Sequence, residues 1–269
     1  MKLFSAFASL ILLLSIWACQ SPASQDAPTF PEGTWVDLTY PFDRSTIYWP
    51  TSKPFGFDTV FAGTTDQGYY YSAFNIQGAE HGGTHIDAPV HFAQGKKSVD
   101  QVPIDQLVGT AVVVDVSANA SGDRDYQANV NDFEAWEATH GQLPEGAIVL
   151  LRTGFGQYWP NAEQYMGTSQ RGADAVPKLH FPGLHPDAAT WLVEKRNIKA
   201  IGLDTLSIDH GQSTLFESHR ILFKAEIPAF ENVANLDQLP ATGAFVMALP
   251  MRIKGGSGAP LRIVALVPS

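Results

Sequence analysis

Five short runs of apolar and β-branched residues punctuate the chain, at residues 110–116, 147–152, 199–204, 244–250 and 261–267. Each is continuous rather than alternating, the pattern of strands covered on both faces. Helical signals lie between them. Asn131-Asp132 is expected to cap a helix running through Phe133, Trp136 and Glu137 toward His140. Pro186-Asp187 opens a second, over residues 188–196, with Trp191 and Leu192 on its apolar side. Residues 214–224 predict a third, with Leu215, Leu222 and Phe223 inward. Alternating strands and helices specify an α/β domain with a mixed β-sheet core and flanking helices. The last two strands follow one another directly, so antiparallel pairing is expected there. No repeat and no linker-like change of composition divides residues 33–269, which read as one domain.

The amino-terminus has a different pattern. Lys2 precedes an apolar run of about 15 residues, the length of a signal-peptide core and short for a membrane span. Ala18-Cys19 closes it and resembles the bacterial lipoprotein cleavage box, although Trp17 occupies a position where that box has a small residue. The resemblance implies a signal peptide over residues 1–18 and lipid on Cys19. The protein would then be exported to the cell envelope or periplasm. Residues 19–32 are polar and proline-rich, a flexible tether.

Composition narrows the chemistry. The chain has 269 residues, with 17 Lys+Arg against 27 Asp+Glu and a net charge of −10. It has no basic stretch for nucleic acid, and an acidic surface leaves lipidated Cys19 as the expected membrane attachment. Cys19 is the single cysteine, which excludes an intramolecular disulfide and thiolate-rich metal sites. A bound metal must use His, Asp and Glu.

Those residues concentrate in one segment. Three of the eight histidines and an aspartate, His81, His85, Asp87 and His91, fall within eleven positions. The spacing of His81 and His85 matches helical zinc motifs. Gly82, Gly83, Thr84, Ile86 and Pro89 disfavour a helix. All four are an even number of residues apart, so an extended chain would present them on one face. Gly82 and Gly83 would let the backbone bend around an ion. Imidazole and carboxylate suit zinc, manganese, iron or nickel, and three protein ligands leave a position for water. Downstream, His219 and Glu231 flank a run whose residues 225–230 read as a strand, and they could hold a second ion. No serine lies in a Gly-x-Ser-x-Gly elbow, which disfavours a serine triad. His140 closes a helix and fits a cation role at its C-terminus. His180 and His185 flank Phe-Pro-Gly-Leu and read as structural or loop residues. Asp209-His210-Gly211 could support the site from behind.

The segment His-Gly-Gly-Thr-His-Ile-Asp-Ala-Pro-Val-His-Phe resembles the signature of the cyclase superfamily, which contains bacterial kynurenine formamidases (arylformamidases) and isatin hydrolases. The pattern His-x-Gly-Thr-His-x-Asp-x-Pro-x-His is met at every fixed position. Likeness runs over about residues 35–267, through Tyr48-Trp49-Pro50, Phe181-Pro182-Gly183-Leu184, residues 202–209, 249–254 and 257–262. The resemblance implies a swivelling β/β/α-like fold and two divalent ions, zinc or manganese. His81, His85 and Asp87 would hold one ion. Asp87 would bridge to a second held by His219, and Glu231 would bridge both. His91 would transfer protons and Trp49 would line an aromatic substrate pocket. A divalent ion lowers the pKa of water from about 15.7 toward about 7, giving a nucleophile for an amide carbonyl, with His91 relaying the proton to the leaving nitrogen. The implied activity is arylformamidase, N-formylkynurenine to kynurenine and formate, in tryptophan catabolism. The alternatives are a cyclic amide hydrolase of isatin type, or an exported metal- or solute-binding lipoprotein without turnover. A small aromatic amide is the implied partner, and a homo-oligomer the implied assembly.

Overall fold

The structure, a computed structural model, describes residues 32–269. The expected signal peptide, Cys19 and all but the last residue of the tether lie outside the described residues. Among the described residues twelve strands form: β1 Gly33–Asp37, β2 Gly56–Thr64, β3 Tyr70–Gln77, β4 His85–Asp87, β5 Val108–Asp115, β6 Gln127–Ala128, β7 Ile148–Arg152, β8 Gly183–Leu184, β9 Ala200–Leu203, β10 Ala229–Glu231, β11 Ala244–Pro250 and β12 Gly258–Pro268. The α-helices are α1 Ile104–Leu107, α2 Ser117–Gly122, α3 Val130–His140, α4 Ala162–Met166, α5 Pro186–Trp191 and α6 Glu217–Lys224.

Seven strands close into a barrel in the order β12-β11-β5-β7-β9-β10-β4, and β4 returns to β12. Strands β5, β7, β9 and β10 run parallel. The rest pair antiparallel, including β11 with β12 as the tail pattern predicts. One edge of the long β12 serves two partners. Gly258, Ala259 and Pro260 pair with β4, and its far end pairs with β1.

The continuous apolar runs are explained by two cores. Ala111, Val113, Ile148 and Leu150 face the barrel interior, with Ile86, Phe230, Val246 and Ile263. Their neighbours Val112, Val114, Val149 and Leu151 face outward, under Phe133, Trp136, Leu192, Leu222 and Phe223. Period-two alternation therefore separates two apolar sets rather than apolar from polar.

Helix boundaries differ from the sequence expectation for identifiable reasons. Helix α3 is capped by Asn129, not Asn131-Asp132. The Asn129 side chain accepts from the Asn131 N–H, and the Asp132 carboxylate accepts from the Asn129 N–H, a reciprocal capping box. Helix α6 starts at Glu217 because Phe216 adopts a left-handed backbone, and Leu215, expected inward, is 61% exposed. Residues 225–228 form the turn after α6, so the strand expected over 225–230 shortens to β10. The hairpin of β2 and β3 was not read from the sequence: it forms its own two-stranded sheet, and Phe57, Val60, Tyr70 and Ile76 on it are exposed.

The approach to β4 depends on two glycines. Gly83 has φ +57°, and Gly82 makes an isolated bridge with Tyr48, whose ring a Cβ on Gly82 would meet at 2.0 Å. Gly82 thus makes room for a buried tyrosine rather than for an ion. Gly82→Ala should push Tyr48 out of its packing and destabilise the fold by about 1–3 kcal/mol. That lowers the thermal midpoint by roughly 2–12 °C for a domain of this size, measurable by calorimetry. An unchanged midpoint would contradict the packing described.

Candidate metal centre

Strand register builds half of the site. In the β4–β10 pair, Ile86 lies opposite Phe230 and both enter the barrel core. The flanking residues then point outward: His85 opposite Glu231, and Asp87 opposite Ala229. Helix α6 lies over this patch and contributes His219, while a 3₁₀ turn at Pro89–His91 brings His91 back to it. The even-spacing argument therefore holds for His85 and Asp87 only. His81 arrives from the loop before Gly82, and His91 arrives through the turn.

His85, Asp87, His219 and Glu231 are buried. Among the described residues two donor groups form, His81 with His85 and Asp87, and Asp87 with His219 and Glu231. Asp87 belongs to both. Its Oδ1 lies 2.6 Å from His81 Nδ1 and 3.1 Å from His85 Nε2, and its Oδ2 lies 3.3 Å from His219 Nε2. Glu231 divides in the same way. Its Oε2 is 3.4 Å from His85 Nε2, and its Oε1 is 3.2 Å from His219 Nε2.

Whether these residues fit a metal is decided at His85. Its Nδ1–H donates to the Gly83 carbonyl at 2.9 Å, which leaves Nε2 as the lone pair. That buried Nε2 has no hydrogen-bond partner among the described residues. A buried, oriented imidazole lone pair facing two carboxylates fits a divalent cation. His219 is oriented similarly, its Nδ1–H held by Asp209 Oδ2 at 2.5 Å.

Charge is concentrated here. Burial favours the neutral form of Asp87, but the potential of His81 and hydrogen bonds from His219 and His81 hold its pKa well below the usual carboxylate range. Burial and the neighbouring Asp87 charge push Glu231 up. Burial opposes protonation of His219, yet its bonds to Asp209, Asp87 and Glu231 hold its pKa well above the usual value. For His91 burial dominates, with His81, His219 and His85 adding to it against Asp87, and the pKa falls to about 4.

His91 stands outside both donor groups. Its ring lies on that of His81 with centroids 3.8 Å apart, and its Nε2 is 3.8 Å from Asp87 Oδ2. A cavity of about 230 Å³ opens over the cluster and is lined by all seven residues singled out in the sequence, Trp49, His81, His85, Asp87, His91, His219 and Glu231. Phe92, Leu206 and Phe216 complete its apolar side. The other histidines lie elsewhere. His140 Nδ1 bonds the Trp136 carbonyl, His180 pairs with Asp125, and His185 caps α5.

Sequence reasoning missed several supports. Asn232 donates from Nδ2 to the Gly83 carbonyl at 2.7 Å and accepts at Oδ1 from the Tyr165 hydroxyl at 2.8 Å. Ser257 Oγ lies 2.9 Å from His81 Nε2 and donates to Glu80 at 2.7 Å. Gly258 lies under His81, whose ring a Cβ there would meet at 2.5 Å. A readable signal was the pairing of polar Asn232 with Glu231 at a strand end.

Known proteins share this arrangement of strands. The profile of the family described as "Putative cyclase" matches residues 36–210. The isatin hydrolase of Roseibium aggregatum is 33% identical over 70% of this chain and 72% of its own length. The kynurenine formamidase of Bacillus cereus is 29% identical over 86% of this chain and 96% of its own. The solved structure of isatin hydrolase A from Labrenzia aggregata, bound to benzyl benzoate, superposes with a TM-score of 0.79 at 35% identity, covering 88% of this chain and 94% of that one. With the motif at residues 81–91 inside the matched region and the fold shared beyond it, the chain belongs to the cyclase family, whose matched members are hydrolases.

Proposed function

We propose that the protein is a metal-dependent hydrolase that opens the C–N bond of an uncharged aryl amide, with a cyclic amide of the isatin kind as the best-fitting substrate. The observation that carries this reading is the wall of the cavity. Apart from the metal-centre cluster, it is built from Trp49, Ser52, Phe92, Leu206, Ser207 and Phe216, and among the described residues no lysine or arginine lines it. N-formylkynurenine carries an α-carboxylate and an α-ammonium group, and burying these without partners is costly. Arg171, next to Ser52 in space, is held by the carbonyls of Tyr48 and Ser52. The arylformamidase reading remains the second, supported by likeness to kynurenine formamidase over 86% of the chain.

In this reading His81, His85 and Asp87 would hold one ion and Asp87, His219 and Glu231 would hold another, zinc or manganese. A divalent ion supplies Lewis acidity for the amide carbonyl and lowers the pKa of water. The chain's own residues supply the rest. Gly83 and Asp209 fix the ring orientations of His85 and His219, and the Ile208 N–H orients Glu231 at 2.9 Å. His91, free of both donor groups, takes the proton from the attacking water and delivers it to the leaving amide nitrogen. Water adds across one C–N bond, giving a carboxylic acid and an amine. We also propose that the enzyme is exported, anchored through lipid on Cys19, and assembled as a homo-oligomer. The signal-like run before Cys19 supports the first two points, and the exposed aromatic residues of the β2–β3 hairpin support the third.

Asp87→Ala and Glu231→Ala should each lose bound metal in elemental analysis, and full stoichiometry in either would sink the site. His91→Ala should keep its metal and lose turnover by about 10²–10⁴-fold; unchanged turnover would remove His91 from the chemistry. Assays of the metal-loaded protein should show faster hydrolysis of isatin than of N-formylkynurenine, and the reverse order would restore the arylformamidase reading. Palmitate fed to the host cell should label the wild-type protein and not Cys19→Ala. Equal labelling of the two would exclude Cys19 as the lipid attachment point.

A further inference from the structure

Phe216 occupies a position that its backbone does not favour. Its φ of 48° and ψ of 48° lie in the left-handed region, where a bulky aromatic residue is an outlier. Glycine or asparagine would adopt this conformation with less strain. The backbone bonds there do not call for an aromatic side chain: the Phe216 N–H donates to Ser213 Oγ, and its carbonyl accepts from the Arg220 N–H. The residue before it, Leu215, is turned out to solvent. The chain thus places a leucine in water and a phenylalanine in the cavity, at a strained backbone position. Strain of this kind persists where the surroundings have a use for it.

The ring has a definite setting. It lies edge-on to Trp49 with centroids 6.1 Å apart, and 5.2 Å from Phe92 at a tilt of 36°. The three rings come from separate segments: Trp49 from the loop before β2, Phe92 from the end of the turn that carries His91, and Phe216 from the head of the helix that carries His219. Phe216 is the residue just before α6, three positions ahead of His219, and their rings are 6.1 Å apart. The Phe216 carbonyl accepts from the Arg220 N–H, which ties this wall to the start of the helix that carries His219.

We infer that Phe216 is a specificity-determining residue: its ring, with Trp49 and Phe92, forms the slot that selects a planar aromatic ring fused or directly attached to the amide. This rests on the proposed hydrolase reading for the reaction, but the recognition step can be measured without turnover. Phthalimide and succinimide are suitable probes, because both are uncharged cyclic imides and they differ by the fused benzene ring. Calorimetry on the metal-loaded protein should show that wild type binds phthalimide more tightly than succinimide. Phe216→Ala and Phe216→Gly should weaken phthalimide binding by about tenfold, the size of one aromatic contact. Succinimide binding and metal stoichiometry should not change. Phe216→Gly should keep or raise the thermal midpoint, since glycine relieves the left-handed backbone. Equal weakening of both imides, no change for phthalimide, or no preference in wild type would overturn the assignment. If neither isatin nor N-formylkynurenine is hydrolysed while the phthalimide result holds, the activity fails and the slot stands.

Discussion

Everything at the site depends on Asp87, a buried carboxylate whose two oxygens face different imidazole groups. Oδ1 faces His81 and His85, and Oδ2 faces His219. A second buried carboxylate, Glu231, faces the same two directions. Two carboxylates so placed repel each other and cost desolvation energy, unless positive charge lies between them. Hydrogen bonds of His219 to Asp209, Asp87 and Glu231 raise its pKa, so the cluster favours a positive charge there. A divalent cation in each donor group would balance the cluster more fully, and would compete with the proton for the lone pair of His219.

The barrel makes this concentration of charge sustainable. Ile86 and Phe230 anchor β4 and β10 in the interior core, and the same register that buries them presents His85, Asp87 and Glu231 on the opposite face. Closure comes from β12, whose first three residues pair with β4. The segment that closes the barrel also furnishes Ser257 beside His81 and Gly258 beneath it. Barrel closure and the setting of the His81 ring therefore depend on one segment of backbone.

Much of this could be read from the chain, and the unread parts share a cause. The motif at residues 81–91 marked residues that line the cavity, because histidine, aspartate and glycine in that density have few other uses. Continuous apolar runs identified β5, β7, β9, β11 and β12, because burial on both faces leaves a local imprint. Barrel closure left none, since pairing β4 with β12 joins residues more than 170 positions apart. Nor did the inward turn of Phe216, because a left-handed phenylalanine has no local sequence preference to reveal it. The helix expected to begin at residue 214 failed at that residue. The even spacing of His81, Asp87 and His91 was suggestive for the wrong reason, as only His85 and Asp87 share a strand face.

Asn232 shows how the two halves of the site are kept in step. It follows Glu231 directly, with a left-handed backbone at φ 54°, a conformation asparagine tolerates better than most residues. Its N–H donates to the Thr205 carbonyl, and its carbonyl accepts from Thr84 Oγ1 at 2.7 Å. Its side-chain amide reaches the Gly83 carbonyl, the same oxygen that accepts the His85 Nδ1–H. One peptide oxygen thus joins the residue after Glu231 to the tautomer of His85. Any shift of the β10 end would pull on Gly83 and turn the imidazole that faces Glu231. The Tyr165 hydroxyl closes the remaining acceptor, so the buried amide is bonded at both ends. A polar group this deep is tolerable only when fully bonded, and those bonds tie the His85 side of the centre to the β10 strand that carries Glu231.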